Sequence, residues 1–193
     1  ENWLHSYLGA DDNPYTKEAG TIWLKGAVAR VLNPGIQFDL AMILEGDQGV
    51  GKTSALRILA GSYHIETALE LDRKGEDEII RKLHGSESWI IEMSELTAFR
   101  KSEIESLKSF LTKTHDHYRK PYAREVTIKA RGFVFAGTTN DTTYLADSAN
   151  RRYLPVKVRH LDREQMENDR QQLLAEAVAM YKANPRLTLA PEV

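Results

Sequence analysis

Gly46-Asp47-Gln48-Gly49-Val50-Gly51-Lys52-Thr53 is the stretch that decides the fold of this chain. It fits the phosphate-binding loop pattern GxxxxGK[ST], and it directly follows an apolar run at residues 40–44. In this pattern the glycines let backbone N–H groups turn inward around phosphate oxygens, while the lysine reaches the β- and γ-phosphates. The apolar residues after Thr53 are spaced as in a helix that opens at the loop. The sequence therefore predicts a strand, loop and helix that bind a nucleotide.

The expected ligands of this loop are ATP and Mg²⁺. Lys52 is expected to contact the phosphates during catalysis, and the Thr53 hydroxyl to bind the metal ion. The nucleotide-binding residues are expected to be Gly46, Asp47, Gln48, Gly49, Val50, Gly51, Lys52, Thr53 and Ser54.

Composition limits the class of protein. With 193 residues, 41% of them hydrophobic, the chain can bury one sizeable core. We expect an N-terminal helical segment (1–35), a nucleotide-binding core (36–160) and a C-terminal helix and tail (161–193). The chain has no cysteine, which excludes disulfides and thiolate metal sites. Because no signal peptide or membrane-spanning run is recognisable, a cytoplasmic protein without a membrane partner is expected. A helical pattern begins directly after Glu1, from which we expect a piece cut from a longer protein.

The order of elements predicts an α/β fold. Strands are indicated at 89–93, 133–137 and 153–158, a further short strand could form at 63–67, and helical patterns lie before the loop and between these segments. We expect a central, mostly parallel sheet flanked by helices, with N-terminal helices and a basic β-hairpin. The extra strand between the loop and the 89–93 run is typical of the additional-strand (AAA+-like) type of P-loop NTPase. The 89–93 strand is expected to lie beside the strand that leads into the loop.

Carboxylates follow that strand. Glu95, just past the apolar run, is the first candidate for orienting the attacking water and for holding Mg²⁺, partly through water. Glu92 is the alternative, and Ser94 occupies the position where many relatives carry a magnesium-linked aspartate. A carboxylate at a strand end can also be simply solvated.

Polar residues follow the next strands in the same way. Asn140 ends the 133–139 region, where an amide can hydrogen-bond both the γ-phosphate and the attacking water; it could also be only a turn residue. Arg151 and Arg152 follow in a polar loop, and adjacent arginines there can stabilise transition-state charge when a neighbouring subunit supplies them. The alternative is a surface pair bonded to a local carboxylate such as Asp147.

A local basic element contrasts with the net charge of −2. Between Lys113 and Arg131 there are six basic residues and two acidic ones, and from Tyr118 onward polar and apolar residues alternate as in a half-exposed hairpin. Such a hairpin fits contact with single-stranded DNA, although charged hairpins are often only solvated surface. His115 and His117 make a poor metal-ligand set without cysteine, and phosphate or base contact suits them better.

An ordered set of motifs extends from about Leu8 to Val158. It comprises Val28-Ala29-Arg30 with Pro34-Gly35, the loop itself, Trp89-Ile90-Ile91-Glu92, Lys108-Ser109-Phe110, Tyr118-Arg119-Lys120-Pro121-Tyr122, Gly137-Thr138-Thr139-Asn140 and Asn150-Arg151-Arg152. Together these motifs resemble the virulence-associated protein E family, whose members occur in prophages and mobile genetic islands. The resemblance implies a P-loop ATPase akin to superfamily 3 helicases, often fused to or encoded beside a primase and used in replicating the element.

The resemblance also assigns roles. It implies that Glu95 ends the acidic motif, that Asn140 is the sensor, and that Arg152, followed by an aromatic residue, is the arginine finger. It further implies a DNA-tracking hairpin in the pore of a homo-oligomeric ring. The DNA-binding residues it implies are Lys108, Arg119, Lys120, Tyr122 and Arg124. Ser94 departs from the strict acidic pair of the pattern, which leaves the metal shell open.

The function that the sequence favours is an ATP-driven helicase or translocase on single-stranded DNA. One alternative is a nucleotide-switched DNA-binding or scaffold subunit that hydrolyses ATP slowly. A small-molecule kinase is a further alternative, but it gives no reason for a basic hairpin between the acidic and sensor strands.

Overall fold

The computed structural model describes residues 2–68, 73–94, 101–119, 123–140 and 151–189. The helices in this part of the chain are α1 (Trp3–Leu8), α2 (Pro14–Leu32), α3 (Lys52–Ala60), α4 (Arg73–Gly85), α5 (Lys101–Thr112) and α6 (Arg163–Ala183). The strands are β1 (Ala41–Glu45), β2 (His64–Thr67), β3 (Ile90–Met93), β4 (His115–Tyr118), β5 (Thr127–Ala130), β6 (Val134–Thr139) and β7 (Tyr153–Lys157). None of these helices combines the length and apolar character needed to cross a membrane.

Five strands form the central sheet in the order β2-β3-β6-β1-β7. All of its pairings are parallel. The predicted α/β fold with a mostly parallel sheet flanked by helices is confirmed. Because the strands are parallel, their carboxyl ends meet at one edge of the sheet, where the loop that follows β1 also lies.

The expected position of β3 beside β1 is wrong. β6 lies between them, with Thr139 beside Glu45 of β1 and Gly137 beside Met93 of β3. The sequence could not reveal this order, since all three strands are short apolar runs buried on both faces. The strand inserted next to β1 is therefore β6, whereas β2, which the sequence analysis regarded as the extra strand, forms an edge of the sheet.

Helices cover both faces of the sheet. Alternate residues of β1 point to opposite sides: Met42 and Leu44 join a core with α1, α2, α3 and α6, whereas Ala41 and Ile43 join a core with α4 and α5. The first core is tied to the sheet by Trp23 of α2, whose Nε1 donates to Phe135 O at 2.9 Å.

Large apolar residues of α2 and α6 are exposed. Val31, near the end of α2, is 53% exposed, and Met180 of α6 is 36% exposed. Tyr181 takes the buried position next to Met180, and its hydroxyl accepts a hydrogen bond from Asn33 Nδ2 at 2.9 Å. A phenol can be buried here because its polar end has a partner.

Candidate active site

The loop between β1 and α3 needs glycine at both ends. Gly46 has φ 150° and Gly51 has φ 99°, conformations that side chains rarely adopt. A Cβ atom on Gly46 would lie 2.4 Å from Val158 O, and one on Gly51 would lie 2.5 Å from Leu161 Cβ. The segment after β7 therefore lies against the loop and fixes its shape.

A cleft of about 580 Å³ opens at this loop. Its lining comprises Gln48, Gly49 and residues 51–54 of the loop and α3, and Thr138, Thr139 and Asn140 at the end of β6. Glu66 of β2 and Ser94, which follows β3, complete it. The carboxyl edge of the sheet thus brings together the loop, the sensor candidate and the residue that follows β3.

Lys52 points into the carbonyl-lined end of the cleft. Only 8% of the residue is exposed. Its Nζ donates to Gly46 O at 2.6 Å, to Asp47 O at 2.8 Å and to Asn140 Oδ1 at 2.9 Å. Burial lowers the pKa of the Lys52 ammonium, and the charges of Asp47 and Glu92 oppose that shift. The structure therefore joins two residues that the sequence analysis singled out separately, Lys52 and Asn140.

Glu92 is the carboxylate that meets the loop. It is fully buried, on the sheet face that packs against α3. Its Oε1 accepts from Thr53 Oγ1 at 2.6 Å and from Thr138 Oγ1 at 2.8 Å, and its Oε2 lies 2.8 Å from His64 Nε2. Burial alone would raise the pKa of the Glu92 carboxyl, but hydrogen bonds from His64, Thr53 and Thr138 and the charge of His64 outweigh it and lower that pKa.

Glu92, the alternative acid of the sequence analysis, therefore contacts the Thr53 hydroxyl, which is the expected metal ligand. Glu95, the first candidate in the sequence, lies outside the described residues. Ser94 lines the cleft. His64 and Thr138 were missed because their roles come from strand pairing, whereas a lone glutamate inside the apolar run 89–93 was a signal that could have favoured Glu92.

The described residues of the cleft do not form a metal site without further ligands. Among the described residues, no three His, Cys, Asp or Glu side chains lie close enough together to hold an ion. Mg²⁺ is commonly bound through one or two protein oxygens plus phosphates and water. The Thr53 hydroxyl, hydrogen-bonded to an ionised Glu92, fits an ion of that kind.

Arg152 lies at the other edge of the sheet. Its backbone carbonyl accepts from Ala41 N at the start of β1, and its Nε donates to Asp39 Oδ2 at 3.0 Å. The loop follows the opposite end of β1. The length of that strand, about five residues at roughly 3.3 Å per residue, therefore separates Arg152 from the loop. Arg152 therefore cannot reach the loop of its own molecule. Arg151, beside it, is exposed.

The basic hairpin is confirmed, with β4 and β5 antiparallel, but its first strand starts at His115 rather than Tyr118. His115 and His117 are exposed on one face, and Arg119 and Arg124 are exposed beyond the strands. Lys120 and Tyr122 lie outside the described residues. Lys108, on α5, pairs with Glu105 on the same helix at 3.2 Å.

Not every cation of this element is available to a ligand. Arg131 is fully buried and forms a two-pronged ion pair with Asp116, with Nη2 to Oδ1 at 2.7 Å and Nε to Oδ2 at 2.9 Å. Lys113 pairs with Glu76 of α4. The basic surface is therefore smaller than the sequence count suggests, because the sequence does not show which cations are used to attach the hairpin.

Comparison with solved structures shows where this fold recurs. The A form of the apo C-terminal region of NrS-1 matches with a TM-score of 0.55 and 16% identity, over 86% of this chain and 40% of that one. A second A form, of the region 305–718, matches with a TM-score of 0.52 and 16% identity, over 91% of this chain and 41% of that one. This chain thus spans about two fifths of those chains, and at such identity the likeness concerns the fold alone.

Sequence comparison identifies the family. No curated protein matches the chain. The family model described as the virulence-associated protein E-like domain, in contrast, matches residues 1–193. The match covers the whole chain, in agreement with the motifs quoted above. This chain belongs to the virulence-associated protein E-like domain family.

Proposed function

We propose that this domain is an ATPase of the additional-strand, AAA+-like P-loop type that drives DNA unwinding or translocation. In this proposal it acts as a superfamily 3 type helicase in replication of a phage or mobile genetic element. Its partners would be single-stranded DNA, further copies of the chain in a ring, and a primase domain or protein in the full-length context.

The observation that carries the proposal is the meeting of four groups beside the loop: three of them line the cleft, and the fourth, Glu92, is buried against Thr53. Lys52, Thr53, Glu92 and Asn140 come from three different elements and are joined by hydrogen bonds of 2.6 to 2.9 Å. A loop that only binds phosphates needs no buried carboxylate such as Glu92. It also needs no amide such as Asn140, which follows β6, the strand between β1 and β3. Their convergence supports a site that senses and cleaves the γ-phosphate.

Each residue has a task in this reaction. The loop N–H groups and Lys52 would hold the phosphates, and Asn140 can exchange its bond with Lys52 for one to the γ-phosphate or the attacking water. The oxygen of the Thr53 hydroxyl would bind Mg²⁺ while the same hydroxyl donates a hydrogen bond to Glu92. When bound, the ion would neutralise charge on the β- and γ-phosphates. Glu95 would orient the water.

One observation favours the slow-hydrolysis alternative. Both oxygens of Glu92 are already occupied by Thr53, Thr138 and His64, so this acid is poorly placed to accept a proton from water. If Glu95 does not approach the γ-phosphate, the domain would act as a nucleotide-dependent DNA-binding or scaffold subunit.

ATP turnover and strand separation test the proposal. ATP hydrolysis with Mg²⁺ is measured with and without single-stranded DNA, together with unwinding of a forked duplex. The proposal expects hydrolysis that DNA stimulates and strand separation that requires ATP. ATP binding with slow turnover and no unwinding would establish the alternative, and absence of ATP binding would contradict both.

A further inference from the structure

Among the described residues, the Arg152 side chain is held through its Nε alone. Its Nε donates to Asp39 Oδ2 at 3.0 Å, and its side chain is 35% exposed. The two terminal amino groups of the guanidinium make no hydrogen bond to any residue that the structure describes. A guanidinium fixed through Nε presents both terminal groups in a fork that suits phosphate oxygens.

The loop that carries Asp39 is fixed from inside the protein. Arg30 of α2 is 1% exposed, and its Nη2 donates to Phe38 O, next to Asp39, at 2.7 Å. Burial lowers the pKa of Arg30 to about 10, with the charge of Arg131 adding to the shift and those of Asp116 and Asp39 opposing it. The Asp39 carboxylate therefore interacts electrostatically with the buried Arg30 guanidinium as well as with Arg152.

Arg30 also contacts Arg131, the residue that directly follows β5 of the hairpin. The Arg30 Nη1 lies 3.4 Å from Arg131 O, and the Arg30 Nε has no hydrogen-bond partner within the described part of the chain. A buried, incompletely bonded guanidinium is costly, so the surrounding backbone must be well fixed to keep it there. This gives Asp39 a rigid base, although Asp39 itself is only half-buried.

We propose that Asp39 is a positioning residue that holds the Arg152 guanidinium ready for the nucleotide phosphates of a second copy of the chain. The proposal rests on the proposed function, because it assigns a residue to the site that two copies would form. A surface ion pair without a role in catalysis would not affect ATP turnover. In this proposal Asp39 affects turnover, and it does so only by orienting Arg152.

The first expectation concerns single variants. Asp39→Asn keeps the size of the side chain but replaces a charge-assisted hydrogen bond with a weaker neutral one, so the orientation of the Arg152 guanidinium is less well fixed. Asp39 is at the edge of the sheet far from the loop, so ATP affinity should stay unchanged. The turnover rate should fall by up to about 10²-fold, the loss that misplacement of a catalytic group can cause. Asp39→Glu, which keeps the carboxylate at a half-exposed site, should retain more activity.

Non-additivity tests whether Asp39 acts through Arg152. Adding Asp39→Asn to Arg152→Ala should cause no further loss of turnover, since the group that Asp39 positions is already absent. Asp11→Asn is the matched control, because it breaks another aspartate–arginine pair, Asp11 with Arg159 at 2.6 Å, and should leave turnover unchanged.

Mixing variants decides between a role in the finger and a role in the fold. Asp39→Asn subunits have an intact loop, so mixing them with Lys52→Ala subunits, whose fingers are intact, should restore turnover. Mixing them with Arg152→Ala subunits should not, because both lack a competent finger.

Three results would overturn the assignment of Asp39 while leaving the ATPase proposal intact: parent-like turnover of Asp39→Asn, no rescue by Lys52→Ala although mixed assemblies form, or rescue by Arg152→Ala. A parent chain that binds no ATP would instead overturn the proposed function and this inference together.

Discussion

At the scale of single residues, Glu92 is a fully buried carboxylate whose surroundings favour its charged form. A carboxylate without exposure to water would normally favour its neutral form. Hydrogen bonds from two hydroxyls and an imidazole reverse that preference and keep it ionised. A charge fixed in this way beside Thr53 suits a divalent cation.

The lowered pKa of Glu92 predicts acid sensitivity. A carboxylate whose folded pKa lies below its unfolded value stabilises the fold above that unfolded value and loses this contribution as the pH falls through the folded pKa. The reference value for Glu is 4.5. The free energy of unfolding of the parent should therefore decrease below about this pH more steeply than that of Glu92→Gln. Urea denaturation between neutral and acid pH measures this, and equal slopes would contradict it.

The two acids should differ in kinetics. Glu92→Gln should weaken Mg²⁺-dependent ATP binding or activity by about 10–100-fold, as loss of a partner of a metal ligand does. Glu95→Gln should keep ATP affinity but lower hydrolysis by about 10²-fold, because it removes the group that orients water. Glu167→Gln, an exposed change on α6, is the control. If the two effects are exchanged, the roles of the two acids are reversed.

The sequence allowed the loop residues and Asn140 to be predicted because their positions follow from local pattern and from strand ends. The sequence analysis placed Glu92 after Glu95 because a carboxylate just past the end of a strand is a more usual catalytic group than one inside the strand. His64 gave no local signal, since its role depends on the pairing of β2 with β3, where it lies beside Ile90.

At the scale of elements, a buried cluster attaches the hairpin. Asp116 of β4 accepts hydrogen bonds from Arg131, and its Oδ2 lies 2.9 Å from His84 Nε2 of α4. The Arg131 guanidinium lies 4.4 Å from the centre of the Phe110 ring and donates to Phe110 O at 2.6 Å. The cluster thus joins β4, the end of β5, α4 and α5.

Removing Asp116 should loosen this attachment. Asp116→Asn leaves Arg131 and His84 buried without their anion, and loss of one partner of a buried ion pair typically costs about 3–5 kcal/mol. Asp11→Asn, which breaks an exposed pair, should cost no more than about 1 kcal/mol. Chemical denaturation measures both changes. Similar values for the two variants would show that the buried cluster does not hold the hairpin.

The exposed arginines of the hairpin should govern DNA binding. Replacing Arg119 and Arg124 together with Ala should weaken binding to single strands of any sequence and reduce the salt slope by about 0.7 per lost contact. Replacing Lys17 and Lys182, exposed lysines on α2 and α6, removes the same charge elsewhere. Binding titrations across salt concentrations measure the slopes, and equal slopes for both double variants would mean that the hairpin is only a solvated surface.

The alternating pattern predicted the hairpin correctly because residues of one strand face either the protein or solvent. It could not separate structural cations from exposed ones. Arg131 looks as basic in sequence as Arg124, but its position after β5 places it between Asp116 and three aromatic rings.

At the scale of the whole molecule, the parallel sheet separates two groups of candidate site residues. The loop, Glu92 and Asn140 lie at the carboxyl edge, whereas Arg152 and Asp39 lie at the amino edge. The sequence predicted an α/β sheet with these residues at strand ends, but not the order of strands, because several orders bury the same apolar runs. The insertion of β6 beside β1 is what places Asn140 against Lys52.

If Arg152 acts on the nucleotide, as we propose, this separation requires a second molecule to complete the site. Arg152→Ala subunits keep an intact loop, and Lys52→Ala subunits keep an intact Arg152, so only a mixed interface combines the two. The most direct test is ATP turnover of each variant alone and of their mixture, with native mass measurements of assembly. The account predicts that each variant alone is nearly inactive and that the mixture recovers turnover. A mixture that forms joint assemblies yet remains as inactive as its components would contradict the account.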